Sequence, residues 1–113
     1  MKVIFFGTPP FAAQVLTYLI ERKVDVVAIV TKPDKPKGRS LKLTFSAVKQ
    51  IALEKWKDIP LYQPQKASEP SFAEELKPFN ADLFVVVAYG EIVKQNLLDM
   101  PHLDCINLHA SLL

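Results

Sequence analysis

An amide and an imidazole lie two residues apart near the end of the sequence. Asn107 and His109 follow an apolar run that is typical of a buried strand. Residues two apart in a strand point to the same side of the sheet, so both side chains would face one space. Asn107 could donate a hydrogen bond to an oxygen that gains negative charge, and His109 could carry a proton near neutral pH. The pair suits transfer of an acyl group to an amine, although the residues alone leave a purely structural role open.

A segment of unusual charge lies between Lys32 and Lys49. It carries six basic side chains against the single acid Asp34, a net charge of +5 in a chain whose net charge is +2. We predict a long loop over roughly Lys32 to Phe45 that leaves the carboxyl end of a strand, where parallel sheets bind ligands. The segment therefore fits contact with nucleic acid phosphates, with a solvated surface loop as the alternative.

The elements that must position these residues follow from the hydrophobic pattern. Five apolar runs read as strands, and their continuous character fits a sheet that is covered on both faces. The runs span 3–6, 26–30, 61–62, 83–88 and 106–108. Four helical patterns separate them, with Thr8 as the expected N-cap of the first helix and Ser71 at the start of the third. The pattern predicts an α/β fold with a doubly wound, mostly parallel, Rossmann-like sheet of five strands.

Composition excludes several classes of protein. The 113 residues fit one domain, and Cys105 is the only cysteine, so no internal disulfide forms and a cytoplasmic location is expected. No apolar run approaches the ~20 residues that span a bilayer, so we expect no membrane contact. The turn Gly7-Thr8-Pro9-Pro10 lacks the glycines of a dinucleotide-binding loop, which argues against NAD. Two histidines and scattered acids do not supply a zinc ligand set, so no metal is expected.

Four motifs resemble those of the methionyl-tRNA formyltransferase family, in the same order and spacing over all 113 residues. They are Gly-Thr-Pro-Pro-Phe-Ala at 7–12, Pro-Asp-Lys-Pro-Lys-Gly-Arg at 33–39, Val-Val-Val-Ala-Tyr-Gly at 85–90 and Asn-Leu-His-Ala-Ser-Leu-Leu at 107–113. The resemblance implies a fold of the formyltransferase type, truncated here after the fifth strand. It also implies an enzyme of translation initiation that moves the formyl group of 10-formyltetrahydrofolate to the α-amino group of methionine on initiator tRNA.

The resemblance assigns roles to individual residues. Asn107 would hold the formyl oxygen as it becomes an oxyanion, and His109 would assist charge stabilisation and proton transfer. The residues expected to contact the folate donor are Tyr89, Gly90, Glu91, Ile92, Ser111, Leu112 and Leu113. Those expected to contact the tRNA are Lys35, Lys37, Arg39 and Lys42. No metal and no protein partner is implied.

The resemblance further implies that residues 1–113 are the N-terminal part of the catalytic domain. The remainder of that domain, with an aspartate as a third catalytic group, and a C-terminal tRNA-binding domain would lie outside these residues. We therefore expect the 113-residue chain alone to be inactive. Two rival functions stay open. One is a folate-dependent formyltransferase that acts on an amino sugar or a ribonucleotide amine, and the other is a non-catalytic RNA-binding module that uses the basic segment alone.

Overall fold

The computed structural model describes residues 1–37, 42–90 and 93–108 of the chain, and the side chains at 36, 37, 42 and 43 lie outside that description. Within it there are seven strands: β1 (Lys2–Gly7), β2 (Asp25–Val30), β3 (Lys35–Lys37), β4 (Lys42–Thr44), β5 (Leu61–Tyr62), β6 (Leu83–Val87) and β7 (Asp104–Leu108). Five of them form one parallel sheet in the order β5-β2-β1-β6-β7, and β3 and β4 form a separate antiparallel hairpin.

Helices cover both faces of the parallel sheet. They are α1 (Pro10–Glu21), α2 (Ala47–Lys55), α3 (Pro70–Leu76) and α4 (Gln95–Leu98), and a 3₁₀ turn follows α3 at Lys77–Phe79. Helices α1 and α2 pack on one face through buried residues such as Leu16 and Val48. Helices α3 and α4 pack on the other face through Phe72, Leu76 and Leu97. None of the helices in the described part of the chain is long and apolar enough to cross a membrane.

The apolar runs become buried strands because the sheet is covered on both sides. The four residues from Val3 to Phe6 are each at most 2% exposed, and they alternate between the two hydrophobic clusters along β1. Transfer of such side chains from water contributes about 1.5–3 kcal/mol each to stability. The predicted doubly wound parallel sheet is therefore confirmed.

Three local predictions were wrong. Thr8 does not cap α1: the N-cap is Pro9, and the Thr8 hydroxyl instead donates to the carbonyl oxygen of Tyr89 at 2.6 Å. Helix α3 begins at Pro70 with Glu69 as its N-cap, so Ser71 lies inside the helix. The segment from Lys32 to Phe45 is not wholly irregular, because Lys35–Lys37 pairs with Lys42–Thr44.

Close packing explains the glycine at the end of β1. A Cβ atom at Gly7 would lie 2.7 Å from the Cβ atom of Ala12, 2.8 Å from the ring of Phe5 and 3.0 Å from the carbonyl oxygen of Val87. No larger residue fits there without moving α1 away from the sheet. Gly7 therefore sets how closely the start of α1 approaches the carboxyl edge of β1 and β6.

Candidate active site

Asn107 lies one residue before the end of β7, at the carboxyl edge of the sheet. It pairs with Val86 of β6, and the parallel register continues from Val86 to Phe6 and on to Val30. Residues paired in this way point to the same face, which here is the face covered by α3 and α4. The Asn107 side chain is exposed. An amide donor is thus available where the strands end, the usual ligand-binding edge of such sheets.

The structure describes some of the predicted site residues and not others. His109, Ser111, Leu112 and Leu113 lie outside the described residues, as do Glu91 and Ile92 after β6. Arg39 in the basic segment and the side chains of Lys37 and Lys42 also lie outside them. Of the predicted site residues, the structure therefore describes the side chains of Asn107, Tyr89 and Lys35, together with Gly90.

The turn that follows β6 is built on two residues with positive φ. Ala88 has φ 49° and Gly90 has φ 107°, a conformation that favours glycine. Between them, Tyr89 is 2% exposed and its ring meets that of Phe6 edge-on, with the centroids 5.5 Å apart. Tyr89 therefore anchors the turn in the core, whereas Gly90 is exposed to solvent.

Lys32 and Thr8 join this turn to the ends of the neighbouring strands. The Lys32 ammonium lies 5.9 Å from the centroid of the Tyr89 ring, and a Cβ at Gly90 would come within 3.2 Å of the Lys32 side chain. The Thr8 hydroxyl donates to the carbonyl of Tyr89 and accepts a longer bond of 3.4 Å from the Lys32 backbone N–H. Segments that follow β1, β2 and β6 thus meet at one point of the carboxyl edge.

A polar cluster fixes the start of the basic hairpin, and the sequence did not reveal it. Lys49 of α2 donates to both carboxylate oxygens of Asp34, at 3.1 and 2.9 Å. Gln63, just after β5, donates to Asp34 at 2.8 Å and to the carbonyl of Lys32 at 3.2 Å. Asp34, Lys49 and Gln63, termed the Asp34 clamp, come from three separate segments. Only their approach in the folded chain brings them together.

The clamp has an electrostatic consequence for the hairpin. The hydrogen bond from Gln63 and those from Lys49 hold the pKa of Asp34 below its ordinary value, so the carboxylate stays ionised and paired. Asp34 is the only acid in the basic segment. Because its charge is neutralised by Lys49, the exposed Lys35 beside it keeps an undiminished positive potential toward solvent.

Neither the apolar groove of the fold nor a metal centre provides an alternative site in the described part of the chain. An apolar groove of about 400 Å³ lies on the α1 side of the sheet, with Val15, Leu19, Val85 and Ile106 among its walls. It lies on the sheet face opposite to Asn107, and its walls offer little polar chemistry. Among the described residues, no three His, Cys, Asp or Glu side chains are grouped so that they could hold a metal ion.

Comparison with known proteins gives a consistent result. A family model described as formyl transferase matches residues 1–113. Relatives named methionyl-tRNA formyltransferase from Protochlamydia amoebophila (strain UWE25), Chlamydia abortus (strain DSM 27085 / S26/3) and Geobacter metallireducens (strain ATCC 53774 / DSM 7210 / GS-15) are 62%, 55% and 52% identical to the chain over all 113 residues. The chain spans 35%, 35% and 36% of their respective lengths.

A solved structure shares the fold. Glycinamide ribonucleotide transformylase 1 from Geobacillus kaustophilus superimposes with a TM-score of 0.62 at 21% identity, covering 99% of this chain and 59% of that one. At this identity the likeness concerns the fold alone. It agrees with the five-stranded parallel sheet and the helices on its two faces.

Proposed function

The chain belongs to the formyl transferase family, and from this premise we propose that its protein transfers the formyl group of 10-formyltetrahydrofolate to the α-amino group of methionine on initiator tRNA. The observation that carries the proposal is the exposed amide of Asn107 at the same sheet edge from which the basic hairpin extends. The names of the similar proteins, which are methionyl-tRNA formyltransferases, support the choice of acceptor.

The chemistry requires stabilisation of charge on the formyl oxygen. The amine nitrogen forms a bond to the formyl carbon, the oxygen takes up negative charge, and the carbon–N10 bond then breaks as N10 gains a proton and the amine loses one. We assign the hydrogen bond to the developing oxyanion to Asn107, because its amide is exposed at the strand end. We assign the proton transfer to His109, because an imidazole can take up and release a proton near neutral pH.

The folate donor would lie against the turn after β6. The exposed backbone at Gly90 supports this placement, because a residue without a side chain allows close approach of a flat ligand. In this proposal Glu91, Ile92 and Ser111–Leu113 complete the contacts with the donor, and Tyr89 would contribute through its backbone alone. Since the Tyr89 ring is buried, its role would be to hold the turn in shape.

The tRNA would approach along the hairpin. Lys35 is exposed, and Lys37, Arg39 and Lys42 follow it along the same segment. Four cations within residues 35–42, with the only acid of the basic segment paired to Lys49, suit the phosphate backbone of a nucleic acid. In this proposal the hairpin supplies RNA affinity, and Asn107 supplies catalysis.

Asn107→Ala tests the proposal in the full-length gene product. We expect kcat for formyl transfer to charged initiator tRNA to fall about 10²–10³-fold, the typical effect of removing one oxyanion donor, with tRNA affinity within about twofold of the parent. The matched control is Asn96→Ala in α4, where the amide only contacts the Ser68 carbonyl and turnover should not change.

Other results would redirect the assignment. Unchanged turnover in the Asn107 variant would remove this residue from the chemistry. If the parent forms no product with charged tRNA but formylates an amino sugar or a ribonucleotide amine, the acceptor is wrong and the donor stands. If it binds tRNA and formylates none of these acceptors, a non-catalytic RNA-binding module is the better description.

A further inference from the structure

A cleft of about 280 Å³ opens between the base of the β3–β4 hairpin and the carboxyl ends of β1 and β2. Its walls include Lys32 and Pro33 after β2, Lys35 at the start of β3, and Phe45 after β4. The volume is at the lower end of the range for ligand pockets, which suits a single flat group rather than a large molecule. The cleft is distinct from the site at Asn107.

Two of the hydroxyl groups that line this cleft have partners within the protein. The Thr8 hydroxyl donates to the Tyr89 carbonyl. The Ser46 hydroxyl lies 2.6 Å from that of Thr31 and accepts from the Lys49 backbone N–H, which caps α2. These two groups hold the cleft in shape. The side chains on its wall that suit recognition of a ligand are therefore Lys35, Thr44 and Phe45.

Phe45 has the properties of a stacking platform. Its side chain lines the cleft and is 40% exposed, so the ring is accessible to a ligand. The Lys49 ammonium lies 3.9 Å from the centroid of its ring, and the same ammonium is held by both oxygens of Asp34. The ring is thus fixed before any ligand arrives, so stacking on it loses little conformational entropy.

We propose that this cleft binds one unpaired nucleotide of the RNA substrate, with the base stacked on Phe45 and its phosphate beside Lys35. An aromatic ring next to a cation matches the two parts of a nucleotide, and base stacking on aromatic side chains is the common mode for single-stranded RNA. The inference rests on the proposed function, which supplies the RNA.

The cleft and Asn107 lie at different points of the carboxyl edge. Strand β2 is separated from β7 by three strand spacings, which at about 4.8 Å each amounts to about 14 Å. The nucleotide in the cleft would belong to the unpaired RNA end that carries the reacting amine. Binding there would fix the path of the unpaired RNA end across the carboxyl edge of the sheet.

The test uses the full-length gene product and three variants. Phe45→Leu keeps an apolar side chain but removes the aromatic ring, whereas Phe45→Trp keeps an aromatic ring. Tyr18→Leu is the matched control, because Tyr18 on α1 is also an exposed ring (55%) with a cation, Arg22, 4.8 Å from its centroid. The measured quantities are KM for charged initiator tRNA and KM for 10-formyltetrahydrofolate.

We expect Phe45→Leu to raise KM for the tRNA about 5- to 50-fold and to leave KM for the donor within about twofold. For Phe45→Trp the KM for the tRNA should stay within about threefold of the parent value, and Tyr18→Leu should change neither KM. A second readout is binding of a short single-stranded RNA with the 3′-end sequence of the tRNA and 2-aminopurine at one unpaired position at a time. Its fluorescence should be quenched at one position by the parent and by Phe45→Trp, but not by Phe45→Leu.

Several outcomes would overturn the inference. These are an unchanged KM for tRNA in Phe45→Leu, an equal rise of both KM values, or equal quenching by the parent and Phe45→Leu. Failure of the inference is distinguishable from failure of the proposed function. If the parent transfers no formyl group to tRNA but quenches the 2-aminopurine fluorescence in a Phe45-dependent manner, the nucleotide site is supported and the proposed function is wrong. If formyl transfer proceeds and Phe45 has no effect on RNA, the reverse holds.

Discussion

Replacing Lys49 with methionine removes the charge at the centre of the Asp34 clamp while keeping a side chain of similar length. The parent ammonium makes contacts of 3.1 and 2.9 Å to the two Asp34 oxygens, and the two side chains are only 14% and 19% exposed. Hydrogen bonds to charged groups contribute about 1.5–3 kcal/mol, and exposed ion pairs about 0–1 kcal/mol. Because this pair is mostly covered and Asp34 keeps its bond from Gln63, we expect a loss of about 2 kcal/mol.

The assay is urea-induced unfolding of the 113-residue chain at pH 7, followed by fluorescence of Trp56, the only tryptophan. In thermal unfolding, which serves as a second readout, a loss of about 2 kcal/mol corresponds to a fall in Tm of about 8 °C for a chain of this size. The control is Lys77→Met, which removes an ion pair with Glu74 whose side chains are 61% and 67% exposed. That variant should lose less than about 0.5 kcal/mol.

A double-mutant cycle with Asp34→Asn tests whether the effect comes from the pair itself. Each single variant removes the attraction between the two groups, so the double variant should lose about 1 kcal/mol less than the two losses added together. If Lys49→Met loses no more stability than Lys77→Met, the covered ion pair contributes no more than an exposed one and the prediction fails. It also fails if the losses of the two clamp substitutions are strictly additive, because the two charges would then act independently.

Three further predictions concern the same edge of the fold. The pKa of Asp34 is lower in the folded chain than its unfolded value near 3.9, so its contribution to the free energy of unfolding is present above about pH 5 and is lost as the pH falls through the folded pKa. In urea unfolding between pH 7 and pH 3, the free energy of unfolding should therefore fall less for Asp34→Asn than for the parent. Gly90→Ala places a Cβ atom on a residue with φ 107° and 3.2 Å from the Lys32 side chain, so we expect a loss of about 1–2 kcal/mol in the same assay. The KM for the folate donor should also rise in the full-length protein, and an unchanged KM would mean that the turn does not contact the donor. Gly7→Ala puts a Cβ 2.7 Å from that of Ala12, and thermal unfolding should show about 2 kcal/mol or more of lost stability, whereas a parental Tm would mean that α1 moves freely.

The sequence predicted the sheet well because its signal is local. Continuous apolar runs such as Leu83 to Val87 in β6 and Val26 to Val30 in β2 can be kept from water only between two covering layers. The same locality explains the errors at helix starts. Thr8 is of a residue type that often caps helices, but its hydroxyl donates to the carbonyl of Tyr89, 81 residues away, and Pro9 occupies the N-cap position.

The candidate site was predictable only where its residues occur in one motif. Asn107 and Lys35 could be named from short patterns, and both are exposed at or near the carboxyl edge. The Asp34 clamp could not be found in this way, because Lys49 and Gln63 lie 15 and 29 residues from Asp34 and have ordinary surface-type side chains. Their role follows from the parallel crossover that brings β5 beside β2. The cleft at Phe45 was missed for the same reason.

The pairing of β1 with β6 has a consequence for the order in which the chain acquires its structure during synthesis. Val3 pairs with Leu83, so the central strand lacks one neighbour until about 80 more residues have been made. At roughly 5–20 residues per second this interval lasts roughly 4 to 16 seconds. During it β1 can pair with β2 alone, and the bond from Thr8 to Tyr89 forms only after β6 has docked. The carboxyl edge that carries the candidate site is therefore completed late, and until then the nascent chain exposes the unpaired edge of its central strand to chaperones.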